Sequence, residues 1–219
     1  MQNLLEYIFN ISVYFLLLPS LVFLIRWRYC KFPEKVAGIY IILASIMSLS
    51  AMYLSKNSVD TRIFSFLNPC VDIICLSLFF CYFFSDKYIK ISFFFICFIY
   101  CSIMGYSYFT NKAPFIDYTL INIETTFIII IMSLLMNNYL RKNQGKNLFS
   151  DSIFWIIIYF IASNIISLGL TLFINDIYAY SKEIFELVWY GFSPIFTIAN
   201  CVILAYAFWI TKNAATEKY

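Results

Sequence analysis

Apolar residues in this chain come in long blocks, and not in the alternating or 3.6-residue patterns of soluble domains. Each block has close to the roughly 20 residues that a helix needs to cross a bilayer. Short connections with charged and turn-forming residues separate the blocks, and Pro114 breaks any continuation between the fourth and the fifth. The pattern predicts an all-α membrane protein with seven transmembrane helices: Leu4–Ile25, Val36–Leu54, Ile63–Phe84, Ile89–Phe109, Tyr118–Leu140, Ser152–Ile174 and Ile184–Ile210.

Composition agrees with a lipid environment on all sides. The chain is 63% hydrophobic and 12% charged, which is too little charge to cover the surface of a soluble domain of 219 residues. We therefore expect one transmembrane domain over residues 1–219, with the lipid bilayer as its main partner and no soluble domain. The first block lacks a basic leader and a small-residue cleavage site, so we expect a retained helix. The excess of Phe, Ile, Tyr, Asn and Lys is typical of AT-rich bacterial genomes and favours a bacterial inner membrane.

The basic residues predict an orientation, because they concentrate on the cytoplasmic side of multi-pass proteins. Four of the fifteen fall on one side of the predicted spans, at Lys56, Arg62, Lys112 and Lys182. The other eleven fall on the opposite side: Arg26, Arg28, Lys31, Lys35, Lys87, Lys90, Arg141, Lys142, Lys146, Lys212 and Lys218. The eleven-residue side is expected to be cytoplasmic. The N-terminus is then outside and the C-terminus inside.

The first three and last three spans share short strings. Asn10-Ile11 in the first span aligns with Asn122-Ile123 in the fifth, and Pro69 in the third aligns with Pro194 in the seventh. This predicts two parallel three-helix bundles, residues 1–85 and 113–219, joined by a linker helix within 86–112. Such parallel repeats occur in SWEET-type sugar transporters. Chance similarity between apolar strings is the alternative, and the sequence leaves both open.

Two acids, Asp72 and Glu124, fall inside predicted spans, where an ionisable group is costly and by default marks a functional site. Both lie in the outer half of the bilayer on spans that start outside. Polar residues fall at a similar depth on odd-numbered spans, so we expect one periplasm-facing vestibule whose ligand-binding residues are Asp72, Glu124, Asn10, Asn122, Ser193 and Thr197. Prolines inside or beside the spans are expected to act as helix hinges, at Pro19, Pro69 and Pro194. The alternative is that these polar groups hold helices together.

Signatures of enzymes and cofactor sites are absent from the sequence. There is no His, no metal-ligand spacing among the seven Cys residues, no glycine-rich phosphate loop and no nucleophile elbow. We therefore expect a non-enzymatic protein without a metal or cofactor, in which the cysteines act as small hydrophobic residues. The basic residues form no stripe, so nucleic acid is not an expected partner.

The chain resembles small seven-helix membrane proteins of unknown role that are common in Bacteroidota and loosely SWEET-like in topology. The resemblance lies in the basic exit Arg26-Trp27-Arg28, the acid and apolar run of Val71–Phe80, Phe154-Trp155-Ile156, Asn200, and Ala207-Phe208-Trp209. It implies a sensory or accessory role that acts through a signalling or complex partner protein. Three functions stay open: a receptor-like module for a small-molecule ligand, a SWEET-like small-solute transporter, and a structural subunit of a membrane complex.

Overall fold

The computed structural model describes residues 2–84, 86–110 and 118–211. Every regular element among these residues is a helix, which confirms the all-α prediction. The predictions that involve Ser85, the break at Pro114 with Lys112, or Lys212 and Lys218 concern positions outside the described residues. The helices are α1 (Gln2–Phe15), α2 (Leu17–Arg26), α3 (Phe32–Lys56), α4 (Arg62–Phe83), α5 (Lys87–Thr110), α6 (Tyr118–Lys142), α7 (Ser152–Tyr180), α8 (Lys182–Leu187) and α9 (Ser193–Trp209).

Seven helical segments in the described part of the chain are long and apolar enough to cross a membrane, as the sequence predicts. The first span joins α1 to α2, and the seventh runs from α8 through a π-helical turn, Val188–Phe192, into α9. Polar caps fix where several helices begin. The Asp151 carboxylate accepts a hydrogen bond from the Ile153 N–H at the start of α7, and the Ser181 hydroxyl accepts one from the Ile184 N–H in α8.

The second span begins earlier than predicted and therefore includes an acidic residue. It begins at Phe32, four residues before the predicted start, with Pro33 in its first turn. Glu34 therefore lies inside the helix, and only 2% of its surface is exposed. Its carboxylate accepts hydrogen bonds from the Lys31 backbone N–H and from the Ser152 hydroxyl. A buried acid thus joins the beginnings of α3 and α7.

Helices neighbouring in sequence mostly pack against each other, and the seventh span closes on the first. Thus α3 packs on α2 and α4, α7 packs on α6 and α9, and α9 packs on α1 and α2. Cross-contacts of α4 with α6 and of α3 with α7 fill the centre. The fourth span, α5, is peripheral. It packs on α4, and only 17% of an apolar 18-residue stretch of this helix is buried. The arrangement in two parallel bundles stays a prediction.

The two ends of the bundle differ. We call the end with residues 27–31 and 143–151, and with Phe84 and Asp86, the basic end, and the end with residues 57–61 the opposite end. At the basic end, Arg26 donates to the Trp209 carbonyl oxygen at 2.8 Å and packs on the Trp209 ring. The half of the bundle toward this end is filled by a continuous cluster of fully buried side chains, among them Phe23, Phe79, Ile156, Leu204 and Phe208.

Candidate functional site

The largest cavity we describe has a volume of about 820 Å³ and reaches the opposite end of the bundle. Helices α1, α3, α4 and the seventh span surround it, and exposed Glu6, Ser55 and Lys56 line its outer part. Half-buried polar side chains line its wall, namely Asn10, Ser48, Thr61, Asn68, Glu186 and Thr197. The cavity is therefore a polar pocket reached from one end of the bundle.

Charge and aromatic surface are concentrated at the outer part of this cavity. Glu6 and Glu186 contribute two carboxylates, against the single ammonium group of Lys56 among the lining residues. Glu186 also lies 3.9 Å from the ammonium of Lys182, one turn earlier in α8. The rings of Phe9 and Tyr190 meet edge to face, with their centroids 5.7 Å apart. Carboxylates beside aromatic rings favour a ligand with a positively charged or strongly polar group.

A second cavity of about 210 Å³ lies further inside, between α7 and α9. It shares Leu16 and Thr197 with the larger cavity, so the two are neighbours along the same route. Its polar lining comes from Tyr159, Ser163, Ser167, Thr171, Ser193 and Asn200. The Asn200 side-chain amide donates to the Ser163 hydroxyl at 3.1 Å. Asn200 therefore joins α7 to α9 and also faces the cavity.

Half-buried Asp72 on α4 and buried Glu124 on α6 interact electrostatically where these two helices meet in the bundle. Glu124 is 3% exposed, and its Oε2 accepts a hydrogen bond from the Tyr100 hydroxyl at 2.7 Å. Its Oε1 is buried and has no hydrogen-bond partner within the part of the chain described. The Asp72 carboxyl interacts with the Tyr40 hydroxyl, and Tyr40 in turn interacts with Tyr159, which lines the inner cavity.

A polar route thus leads from the opposite end to the bundle centre. It passes from the large cavity to the inner cavity, and then through Tyr159 and Tyr40 to Asp72 and Glu124. It ends against the apolar cluster that fills the basic half. Because each step lies between different helices, a ligand along this route would contact several spans at once.

The backbone is irregular at two places beside this route. The first span is broken at Leu16, three residues before Pro19. Proline has no backbone N–H, so it cannot donate a hydrogen bond to the carbonyl oxygen four residues earlier. The π-helical turn Val188–Phe192 stands just before Pro194, and Trp189 and Tyr190 in that turn line the cavities. Pro69, in contrast, lies inside a continuous α4. Two of the three expected hinges therefore coincide with helix irregularities at the cavities.

The structure divides the six predicted ligand-binding residues into groups. Asn10 lines the large cavity, Ser193 the inner one, and Thr197 both. Asp72 and Glu124 form the separate, deeper pair described above. Asn122 accepts a hydrogen bond from the Thr171 hydroxyl, which joins α6 to α7. Among the described residues that line these two cavities, none belongs to the fifth span, whereas the second span contributes several.

Sequence reasoning missed the side chains that join these groups. Glu6 and Glu186 line the large cavity but lie near the ends of their spans, where acids are ordinary. Tyr159 and Ser163 lie four residues apart on α7, so they share one helix face, and that spacing was an available signal. No group of three or more acidic, Cys or His side chains that could hold a metal ion occurs among residues 2–84, 86–110 and 118–211. No family model, curated protein or solved structure matches the chain.

Proposed function

We propose that this protein is a receptor-like sensory or accessory module of a bacterial inner membrane, which binds a small polar ligand from the periplasm. The observation that carries the proposal is the one-sided polar route: two adjoining cavities lead from the opposite end to the centre and end on tightly packed apolar side chains. A binding pocket needs access from one side only. A conformational change would then pass to a partner at the basic end.

The cavity walls support this mode of action. Pockets for small molecules combine apolar surface with a few well-placed polar groups. Here Leu16, Phe196 and Trp189 supply apolar surface, while Ser163 and Asn200 supply a hydroxyl and an amide. Because these residues come from the first, sixth and seventh spans, a ligand that contacts them is able to bias the packing of those spans.

A SWEET-like transporter of small solutes is the second candidate, supported by the helix irregularities at Leu16 and Val188–Phe192. Broken helices beside a central binding site are common in transporters, because they permit the site to open to either side. Transport requires the cluster around Phe79 and Phe208 to separate in another state. A transporter therefore gives a net flux of solute across the membrane, whereas a receptor does not.

Ligand binding is testable with the tryptophan in the inner cavity. Trp189 lines that cavity, so binding of an amino acid, polyamine or sugar there is expected to change tryptophan fluorescence of the protein in nanodiscs. Thr197→Trp fills the junction of the two cavities and is expected to weaken binding at least about tenfold, or about 1.4 kcal/mol. Thr126→Trp, on the exposed face of α6, is the matched control and should leave binding unchanged.

Binding and uptake assays in proteoliposomes distinguish a receptor from a transporter. A receptor binds the ligand found in the fluorescence screen without net uptake, and Thr197→Trp weakens that binding. Uptake of the ligand that is lost when Asn200 is substituted would instead show that the protein is a transporter. If none of the three ligand classes binds, the proposed pocket for small polar ligands is rejected.

Orientation is testable by cysteine labelling with a membrane-impermeant maleimide in whole cells. Six of the seven native cysteines are buried, and burial, with Glu34 nearby, raises the pKa of the Cys30 thiol to about 11, so the background reaction is slow. Val59→Cys, in the exposed connection at the opposite end, is expected to react. Gln144→Cys, in the exposed connection at the basic end, is expected to react only after the membrane is permeabilised. The reverse pattern would contradict the proposed orientation.

A further inference from the structure

In the pair formed by Asp72 and Glu124, the proposed function gives no role to one carboxyl oxygen, Oε1 of Glu124. Tyr100 donates to Oε2 of Glu124 at 2.7 Å, and Tyr40 interacts with Asp72. Oε1 of Glu124 has no hydrogen-bond partner within the described chain, although 97% of that residue is buried. A buried carboxyl oxygen without a donor normally costs a folded protein several kcal/mol.

Among residues 2–84, 86–110 and 118–211, no basic side chain interacts with the pair. The titratable groups that interact with it come from α3, α4, α5 and α7 and are all tyrosine or cysteine, namely Tyr40, Tyr100, Tyr159, Cys70 and Cys75. Two carboxylates close together inside a membrane repel each other and are poorly solvated. A single positive charge between them would relieve both costs.

We propose that Asp72 and Glu124 bind one monovalent cation, a proton or a sodium ion, with Oε1 of Glu124 as a direct ligand. Either ion is recognised by the same chemistry, which is a pair of carboxyl oxygens in a site of low dielectric constant. The Tyr100 hydroxyl, which donates to Oε2, holds the Glu124 carboxyl in place, and the Tyr40 hydroxyl interacts with the Asp72 carboxyl. This cation site is separate from the ligand pocket and does not depend on it.

The site is placed to influence the pocket if the proposed function is correct. Tyr40 interacts with both Asp72 and Tyr159, and Tyr159 lines the inner cavity. A cation that fixes Asp72 therefore also fixes a wall of that cavity. Linkage requires that the ligand and the cation then change each other's affinity by the same factor.

Infrared difference spectroscopy of the protein in neutral-lipid nanodiscs tests the cation site without any ligand. Exchange of choline for sodium at constant pH is expected to change the carboxylate bands if sodium is bound. In choline alone, a change of pH is expected to convert a protonated carboxyl band to a carboxylate band if a proton is bound. Glu124→Gln and Asp72→Asn should each remove the response. Glu183→Gln, an exposed acid of α8, is the control and should retain it.

The variants are chosen so that every result is informative. Glu124→Gln keeps the shape of the side chain and presents an amide group beside Asp72, so the fold is expected to persist. Tyr100→Phe keeps both carboxyls and should weaken cation affinity without abolishing the response. Thr197→Trp blocks the proposed pocket but should leave the cation response intact, which separates failure of one proposal from failure of the other. Bands that are the same in wild type, Asp72→Asn and Glu124→Gln would overturn the cation site.

Discussion

Gly38→Ala is expected to lower the free energy of unfolding by about 1–3 kcal/mol, the usual cost of overpacking a filled core. A Cβ atom built on Gly38 would lie 2.2 Å from the ring of Phe23. That ring is fully buried and packs against Trp27 and Phe208, with centroid distances of 5.0 and 5.1 Å. Because these two rings pack against it, the Phe23 ring is not expected to move aside easily, and α2 and α3 are expected to separate.

Gly169→Ala is the matched control for that substitution. Gly169 also lies inside a helix, α7, but nothing stands within 4 Å of the position of its Cβ. Alanine is the better helix former by about 1 kcal/mol in water, so this variant should be neutral or slightly more stable. Thermal unfolding of both variants in the same detergent supplies the comparison. Equal effects of the two substitutions would contradict the close approach of α2 and α3 at Gly38.

The sequence was sufficient for the seven spans because each is a long apolar block, and the length of such a block is set by the bilayer. It was not sufficient for the start of α3, since Pro33 and Glu34 resemble a charged loop until the partner of Glu34 on α7 is known. The need for glycine at position 38 was equally hidden. It depends on Phe23, which comes from another helix and whose proximity no sequence pattern reveals.

The candidate site was predictable only where a residue is chemically unusual for a membrane. Asp72 and Glu124 were identified because acids are rare inside spans, and the structure places them together. Tyr40 and Tyr159 were not, because the chain has 18 tyrosines and most positions for them in a membrane are unremarkable. Their role depends on contacts between α3, α4 and α7, which are far apart in sequence.

The helices that carry these tyrosines also connect the site to the basic end. Tyr40 and Glu34 lie on α3, and Tyr159 and Ser152 lie on α7, so α3 and α7 meet both at the bundle centre and at their first turns. A shift of α7 against α3 at the cavity must therefore either break the contact between Glu34 and Ser152 or move both helix ends together. This contact is a structural link between the proposed pocket and the basic end, where we propose that a partner binds.

Glu34→Ala is expected to destabilise the protein by about 2–4 kcal/mol. Two donors, the half-buried Lys31 backbone N–H and the buried Ser152 hydroxyl, lose their acceptor together, at about 1–3 kcal/mol for each group left unsatisfied. Glu34→Gln retains one acceptor oxygen and should cost less. If the contact is as described, Ser152→Ala adds little on top of Glu34→Ala, because the hydroxyl then has no carboxylate to lose. Strictly additive effects of the two substitutions on the unfolding free energy would show that Glu34 stabilises α3 alone, and the proposed link between the pocket and the basic end would lose its physical basis.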